Sequence, residues 1–135
     1  MDCSGRVAIV TGGASGIGAA TAREFALEGA SVTVFDVNAD SGESAVASMR
    51  SGGLIARFQH LDVADADACR AAVMEVVAAS GRLDYLVNSA VSFISKGVDA
   101  TTAEWERSLG VNVRGCANMV QACHGPMKAA GAGTA

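Results

Sequence analysis

Several features are scarce in this sequence. Of 135 residues one is proline, one tyrosine and one tryptophan, and aromatic residues make up 4%. There are no repeats, low-complexity blocks or clear linker. No apolar run approaches the roughly 20 residues of a membrane span, so no membrane partner is expected. Positive charge is in the minority, with 10 Lys and Arg against 14 Asp and Glu and a net charge of −4. That balance gives no basic footprint for nucleic acid or an anionic membrane. The four cysteines, Cys3, Cys69, Cys116 and Cys123, form no C-x-x-C pair. Cys116, Cys123 and His124 match no common zinc spacing and lack an evident fourth ligand, so no metal is expected. Small buried thiols in a reducing compartment are the plainer reading.

Half of the residues are hydrophobic and 18% are charged, which is the composition of a soluble globular protein. The length fits one domain, residues 1–135, burying about two-thirds of its unfolded surface. The first strand is expected at Arg6 or Val7, leaving no room for a signal peptide and making a cytoplasmic location the default. Apolar strand candidates are Val7–Val10, Ser31–Phe35, 54–60 and 84–88, separated by segments with helical spacing. The first, second and fourth are nearly continuous apolar runs, as in a parallel sheet covered on both faces. Alternation of this kind predicts an α/β fold.

Along the helices, Ile17, Thr21 and Phe25 are expected to face the core, with Arg23, Glu24 and Glu28 outward and Gly29 as the stop. Asp40-x-x-Glu43 reads as a capping box for the second helix. The third carries a stripe of Cys69, Val73, Val76 and Val77, between a cap at Asp65 and a stop at Gly81. Thr101-x-x-Glu104 caps the last helical region. There Trp105, Leu109, Asn112, Cys116, Val120, Cys123 and Met127 read mostly as core, and a buried Asn112 would need a partner. Pro126 marks a kink or an end, and residues 129–135 read as a loop.

The chain is organised around Thr11-Gly-Gly-Ala-Ser-Gly-Ile-Gly18, which should turn the first strand into the first helix. Glycines there allow a sharp turn and close approach of a ligand, and a helix N-terminus attracts an anion such as a pyrophosphate. A Gly-rich connection without a ligand would look similar, but Asp36 tips the balance. It ends the second apolar run, near the ~20-residue offset of a carboxylate that binds the adenosine ribose.

These residues resemble the short-chain dehydrogenase/reductase family. Thr11–Gly18 fits its T-G-x-x-x-G-x-G turn, and Leu61-Asp62-Val63 its strand-end motif whose Asp contacts adenine. Asn88-Ser89-Ala90-Val91 resembles N-x-A-G, with Val91 in place of the usual Gly, and Asn112-Val113-Arg114-Gly115 matches N-V-x-G. The resemblance implies a Rossmann-like doubly wound parallel sheet, here incomplete with strands in the order 3-2-1-4 and flanking helices. It implies a cofactor site at Thr11, Gly12, Ser15, Gly16, Ile17, Gly18, Asp36, Asp62, Val63, Asn88 and Ala90. Asp36 can accept from ribose hydroxyls and would repel a 2′-phosphate, while Ala14, Ser15 and Val37 offer no cation, so NAD is the expected cofactor.

The family's chemistry, as the resemblance implies, joins an Asn, a Ser, a Tyr and a Lys around an alcohol or ketone substrate. Of these only Asn112 carries over. Tyr85, the sole tyrosine, has no Lys four residues later, and Ser89, Ser92 and Ser95 precede Asn112 rather than follow it. The chain is therefore expected to be an N-terminal, NAD-binding part without the catalytic part. It would be inactive alone, with an exposed fourth-strand edge prone to association. Homo-oligomerisation of the complete protein is expected by analogy with the family. The competing readings are a non-catalytic NAD-binding or interaction module, and a methyltransferase, against which the Gly-rich turn and Asn112 motifs argue.

Overall fold

A computed structural model describes residues 1–131. Its first half runs β1 (Val7–Thr11), α1 (Gly16–Leu27), β2 (Ser31–Asp36), α2 (Ala39–Ser51) and β3 (Ala56–His60). The second half adds α3 (Ala66–Ser80), β4 (Tyr85–Asn88), α4 (Thr102–Leu109) and α5 (Cys116–Ala130). A six-residue π turn, Gly110–Gly115, joins the last two helices. Every strand pairing is parallel and the order across the sheet is β3-β2-β1-β4, the expected half of a Rossmann-like sheet. No described helix is long and apolar enough to cross a membrane.

The period of two along β1 feeds both layers of the fold. Val7 and Ile9 pack with Val73 and Val76 of α3 and with Met119 and Cys123 of α5. Ala8 and Val10 face the other way, toward Ala22 and Ala26 of α1 and Val46 and Met49 of α2. β1 is therefore buried throughout, as its continuous apolar run predicts. β4 is less covered, with Leu86 buried but Tyr85 and Val87 only half-buried. Tyr85 lies against Phe25 with ring centroids 5.1 Å apart, which is a packing role.

Two strands begin later than the sequence spacing implies. β3 starts at Ala56, after Leu54 and Ile55, and β4 starts at Tyr85, just after Asp84, whose amide and carboxylate both bond to Val7 of β1. The Asp84 carboxylate is buried and accepts from the Val7 amide at 3.0 Å, Arg6 Nη1 at 3.0 Å and Arg82 Nε at 2.8 Å. Burial alone would raise its pKa. Hydrogen bonds from Arg82, the Val7 amide and Arg6 outweigh that and hold it below the usual carboxylate value.

Caps at Asp65 and at Thr101 with Glu104 form as their spacing predicts, and Gly81 ends α3 in the left-handed region. Gly29 likewise has positive φ just beyond α1. The second helix differs. Asn38, not Asp40, is its cap and accepts from the Ser41 amide at 3.0 Å, while Asp40 sits in the first turn, where its charge suits the helix dipole. On α1 the buried positions are Gly18, Ala22 and Ala26, with Ile17 82% exposed and Thr21 and Phe25 half-buried. Small residues let α1 lie close to the sheet, which the bulkier face would prevent.

The last stripe also needs correction. Cys123 and Met127 are buried as read, but Trp105, Leu109 and Val120 are exposed and Cys116 is half-buried, while Val111 and Met119, outside the expected stripe, are buried. The stripe therefore holds on α5 at Cys123 and Met127, and its departures are at Val120 and on α4, before the π turn. α5 continues through Pro126 to Ala130 and is capped by Gly131 at φ 82°. Ala129 and Ala130 are thus helical, and residues 132–135 of the expected loop lie outside the described residues.

Candidate dinucleotide cleft

At the C-terminal ends of the strands a cleft of about 590 Å³ opens. Its wall begins with the Gly-rich turn. Gly12 has φ +66°, and a Cβ there would stand 2.6 Å from the Ser89 carbonyl oxygen. A Cβ on Gly18 would collide with the Gly12 carbonyl. These glycines let the turn pack on its own backbone and on the loop after β4, rather than making room for a ligand. Gly16 is different, since a Cβ there would meet nothing within 4 Å.

The turn opens α1 without a side-chain cap. Ser15 makes no capping hydrogen bond and the first turn of α1 holds no acidic residue, whereas α2, α3 and α4 are each capped by a side chain. The leading amides of α1 and the Ser15 hydroxyl therefore meet the cleft with the positive end of the helix dipole behind them, a setting that fits an anion.

Asp36, at the end of β2, is held from two sides. One oxygen accepts from the Ala14 amide at 3.1 Å and the other from the Asn38 amide at 3.0 Å. The carboxylate thus has a fixed orientation at the cleft wall, beside Val37. At the end of β3, Asp62 accepts from the Ala64 amide at 3.0 Å and from Arg107 Nη1 at 2.7 Å. Burial pushes the Asp62 pKa up, but the Arg107 and Ala64 hydrogen bonds bring it below the usual value.

Nine of the twelve site residues expected from the sequence line this one cleft. Gly12 and the run Ser15, Gly16, Ile17 and Gly18 come from the turn; Asp36, Asp62, Val63 and Ala90 come from the strand ends. Thr11, Asn88 and Asn112 are not among its lining residues. Thr11 is buried, and its hydroxyl accepts from the Ser89 and Ala90 amides at 3.1 and 3.2 Å, so it ties β1 to the loop after β4. Asn88 closes β4, opposite Thr11 in the sheet register.

Asn112, half-buried within the π turn, grips the Ser92 peptide from behind the cleft. Its Oδ1 accepts from the Ser92 amide at 2.8 Å, and its Nδ2 donates to the Ser92 carbonyl at 2.9 Å. Ser108 donates to the same carbonyl at 3.1 Å and accepts from Asn112 Nδ2 at 3.1 Å. This meets the need for a partner that the sequence raised. Val91, at the position where the family usually has Gly, is half-exposed at the cleft's edge.

Arg107 and Phe93 also line the cleft, and the sequence did not single them out. Arg107 precedes Asn112 by five residues, and no spacing rule connects it with Asp62, 45 residues earlier. The cysteines are free, with Cys3, Cys69 and Cys123 buried. Burial pushes the Cys69 thiol up to about 11 and the Cys123 thiol up to about 12, which leaves both unreactive at neutral pH.

Comparison with known proteins agrees with this geometry. The chain is 40% identical over 130 residues to D-threitol dehydrogenase of Mycolicibacterium smegmatis, covering 96% of this chain and 50% of that protein. It is 40% identical over 126 residues to cyclopentanol dehydrogenase of Comamonas testosteroni, covering 93% of this chain and 50% of the other. It thus spans about half the length of the curated relatives it matches. Among solved structures, a metagenomic short-chain oxidoreductase in complex with NADP superposes with a TM-score of 0.92 at 33% identity, over 97% of this chain and 60% of that one. A short chain dehydrogenase from Burkholderia cenocepacia J2315, also with NADP, gives a TM-score of 0.88 at 36% identity, over 94% and 53% of the two chains. The profile of the short chain dehydrogenase family matches residues 6–135, and this chain belongs to that family.

Proposed function

We propose that residues 1–135 form the NAD-binding part of an oxidoreductase that interconverts an alcohol and a carbonyl compound. The observation that carries this reading is Asp36. Its carboxylate is anchored by the Ala14 and Asn38 amides at the wall of a cleft that begins at an uncapped helix N-terminus. In this assignment the α1 amides and Ser15 take the pyrophosphate, and Gly16 leaves room for it. Asp36 accepts from the adenosine ribose hydroxyls, and the segment from Asp62 to Val63 lies beside the base. Thr11 and Asn112 act from behind the lining by holding the loop after β4, and Asn88 ends the strand that precedes it.

Two relatives of known structure carry NADP, and the choice of NAD here rests on charge. A 2′-phosphate would meet the Asp36 carboxylate, and no cation stands at Ala14, Ser15 or Val37 to offset it. Arg107 lines the cleft but is committed to Asp62. The double variant Asp36→Ala/Val37→Arg is expected to shift the NAD-to-NADP affinity ratio by about 100-fold toward NADP, from a lost repulsion and a gained ion pair. An unchanged ratio would refute the assignment.

The nicotinamide of the bound cofactor supplies the hydride chemistry. The chain's own residues bind and orient it, and Asn112 fixes the Ser92 backbone, which lines both the dinucleotide cleft and the smaller cleft beside it. No Tyr-x-x-x-Lys occurs in residues 1–135, so this stretch by itself is expected to bind cofactor without turnover. The whole protein is proposed to act on a small alcohol or ketone. The exposed Trp105, Leu109, Val113 and Val120 of the α4–α5 region favour a homo-oligomer. Free cysteines suit a cytoplasmic, reducing setting.

A further inference from the structure

Arg107 lines the dinucleotide cleft and also a smaller cleft of about 270 Å³ beside it, so its side chain forms part of the partition between them. Within the first cleft its Nη1 reaches Asp62 Oδ2 at 2.7 Å, while the Ala64 amide holds Oδ1 at 3.0 Å. One partner comes from α4 and the other from the Asp62 loop itself. Together they fix the plane of a carboxylate that would otherwise rotate about its last bond.

We infer that Arg107 is a positioning residue that sets the base specificity of the cleft, by holding Asp62 as an immobile, acceptor-only wall that admits a 6-aminopurine and rejects a 6-oxopurine. An ionised carboxylate has no proton to donate, so a base beside it must supply the donor. The 6-amino group of adenine does so, whereas hypoxanthine presents its 6-oxo acceptor at that point and carries its donor, N1–H, one ring position away. Pinned at both oxygens, Asp62 cannot turn away from that clash. Without Arg107 the carboxylate is free to swing toward solvent, losing a preorganised bond to the amino group and relieving the clash with the oxo group. The inference rests on the dinucleotide reading above.

The test is calorimetric titration of the full chain with NAD and with nicotinamide hypoxanthine dinucleotide, which differ in the purine 6-substituent and in the proton that hypoxanthine carries on N1. Wild type is expected to favour NAD at least about 10-fold, in keeping with a site built around one polar contact. Arg107→Gln and Arg107→Met should each narrow the ratio to below about 3-fold, chiefly by weakening NAD, and Arg107→Lys should recover part of it. The side chain is half-exposed, so these variants should keep their fold, which circular dichroism checks. A ratio unchanged in both charge-free variants, or an equal loss for both dinucleotides, would overturn the inference and leave Arg107 a structural residue. Wild type binding neither dinucleotide would instead overturn the cofactor reading, and the inference with it.

Discussion

Asp84 shows how one side chain can be decisive away from any ligand. It joins the start of β4 to β1 through the Val7 amide and gathers Arg6 and Arg82 around a buried carboxylate. Removing the carboxylate leaves the Val7 amide unpaired and the guanidinium groups uncompensated, so Asp84→Ala is expected to cost about 3 kcal/mol. The effect depends on pH. The folded-state pKa lies below the unfolded value of about 3.9, so this stabilisation is complete above that value and is lost as pH falls through the folded pKa. Melting curves should therefore show a large gap between wild type and variant at pH 7 that narrows toward pH 3. A gap that stays constant with pH would contradict the assignment. Gly12 is decisive for a steric reason. Gly12→Ala places a Cβ against the Ser89 carbonyl at a positive φ and should cost at least about 2 kcal/mol, with dinucleotide binding weakened in proportion to the distortion.

At the scale of elements, the sequence identified every strand and most helix ends, because their signals are local. Asp65, Gly81 and the Thr101–Glu104 box act on backbone groups within four residues. The second helix escaped because two residues with capping side chains, Asn38 and Asp40, stand two apart, and only the backbone geometry decides between them. Asn38→Ala should cost about 1 kcal/mol in thermal unfolding, and Asp40→Ala appreciably less. The π turn was less legible still. Its sequence, Gly-Val-Asn-Val-Arg-Gly, gives no periodic warning, yet it separates α4, where Trp105 and Leu109 are exposed, from α5, where Cys123 and Met127 are buried. The same turn holds Asn112 where both its amide atoms reach the Ser92 peptide.

Across the whole molecule, the order of the sheet could be read from motifs along the chain, and nine of the twelve residues those motifs offered line the cleft. Those motifs sit at the ends of adjacent parallel strands, which brings them to one rim. Arg107 could not be read in this way, since its link with Asp62 joins α4 to the loop after β3, 45 residues earlier in the chain. The molecule also leaves apolar side chains exposed along α4 and α5, and β4 pairs only with β1 among the described residues. Size-exclusion chromatography of the chain should therefore show concentration-dependent association, and a monodisperse, cooperatively melting monomer would contradict that expectation. We propose that the cleft between Gly12 and Asp62 is an NAD site selected by Asp36. Its most direct test is parallel calorimetric titration of the chain with NAD and NADP at moderate salt. NAD is expected to bind, with NADP at least about 10-fold weaker from the charge clash at Asp36. Equal affinity, a preference for NADP, or no binding of either would contradict it.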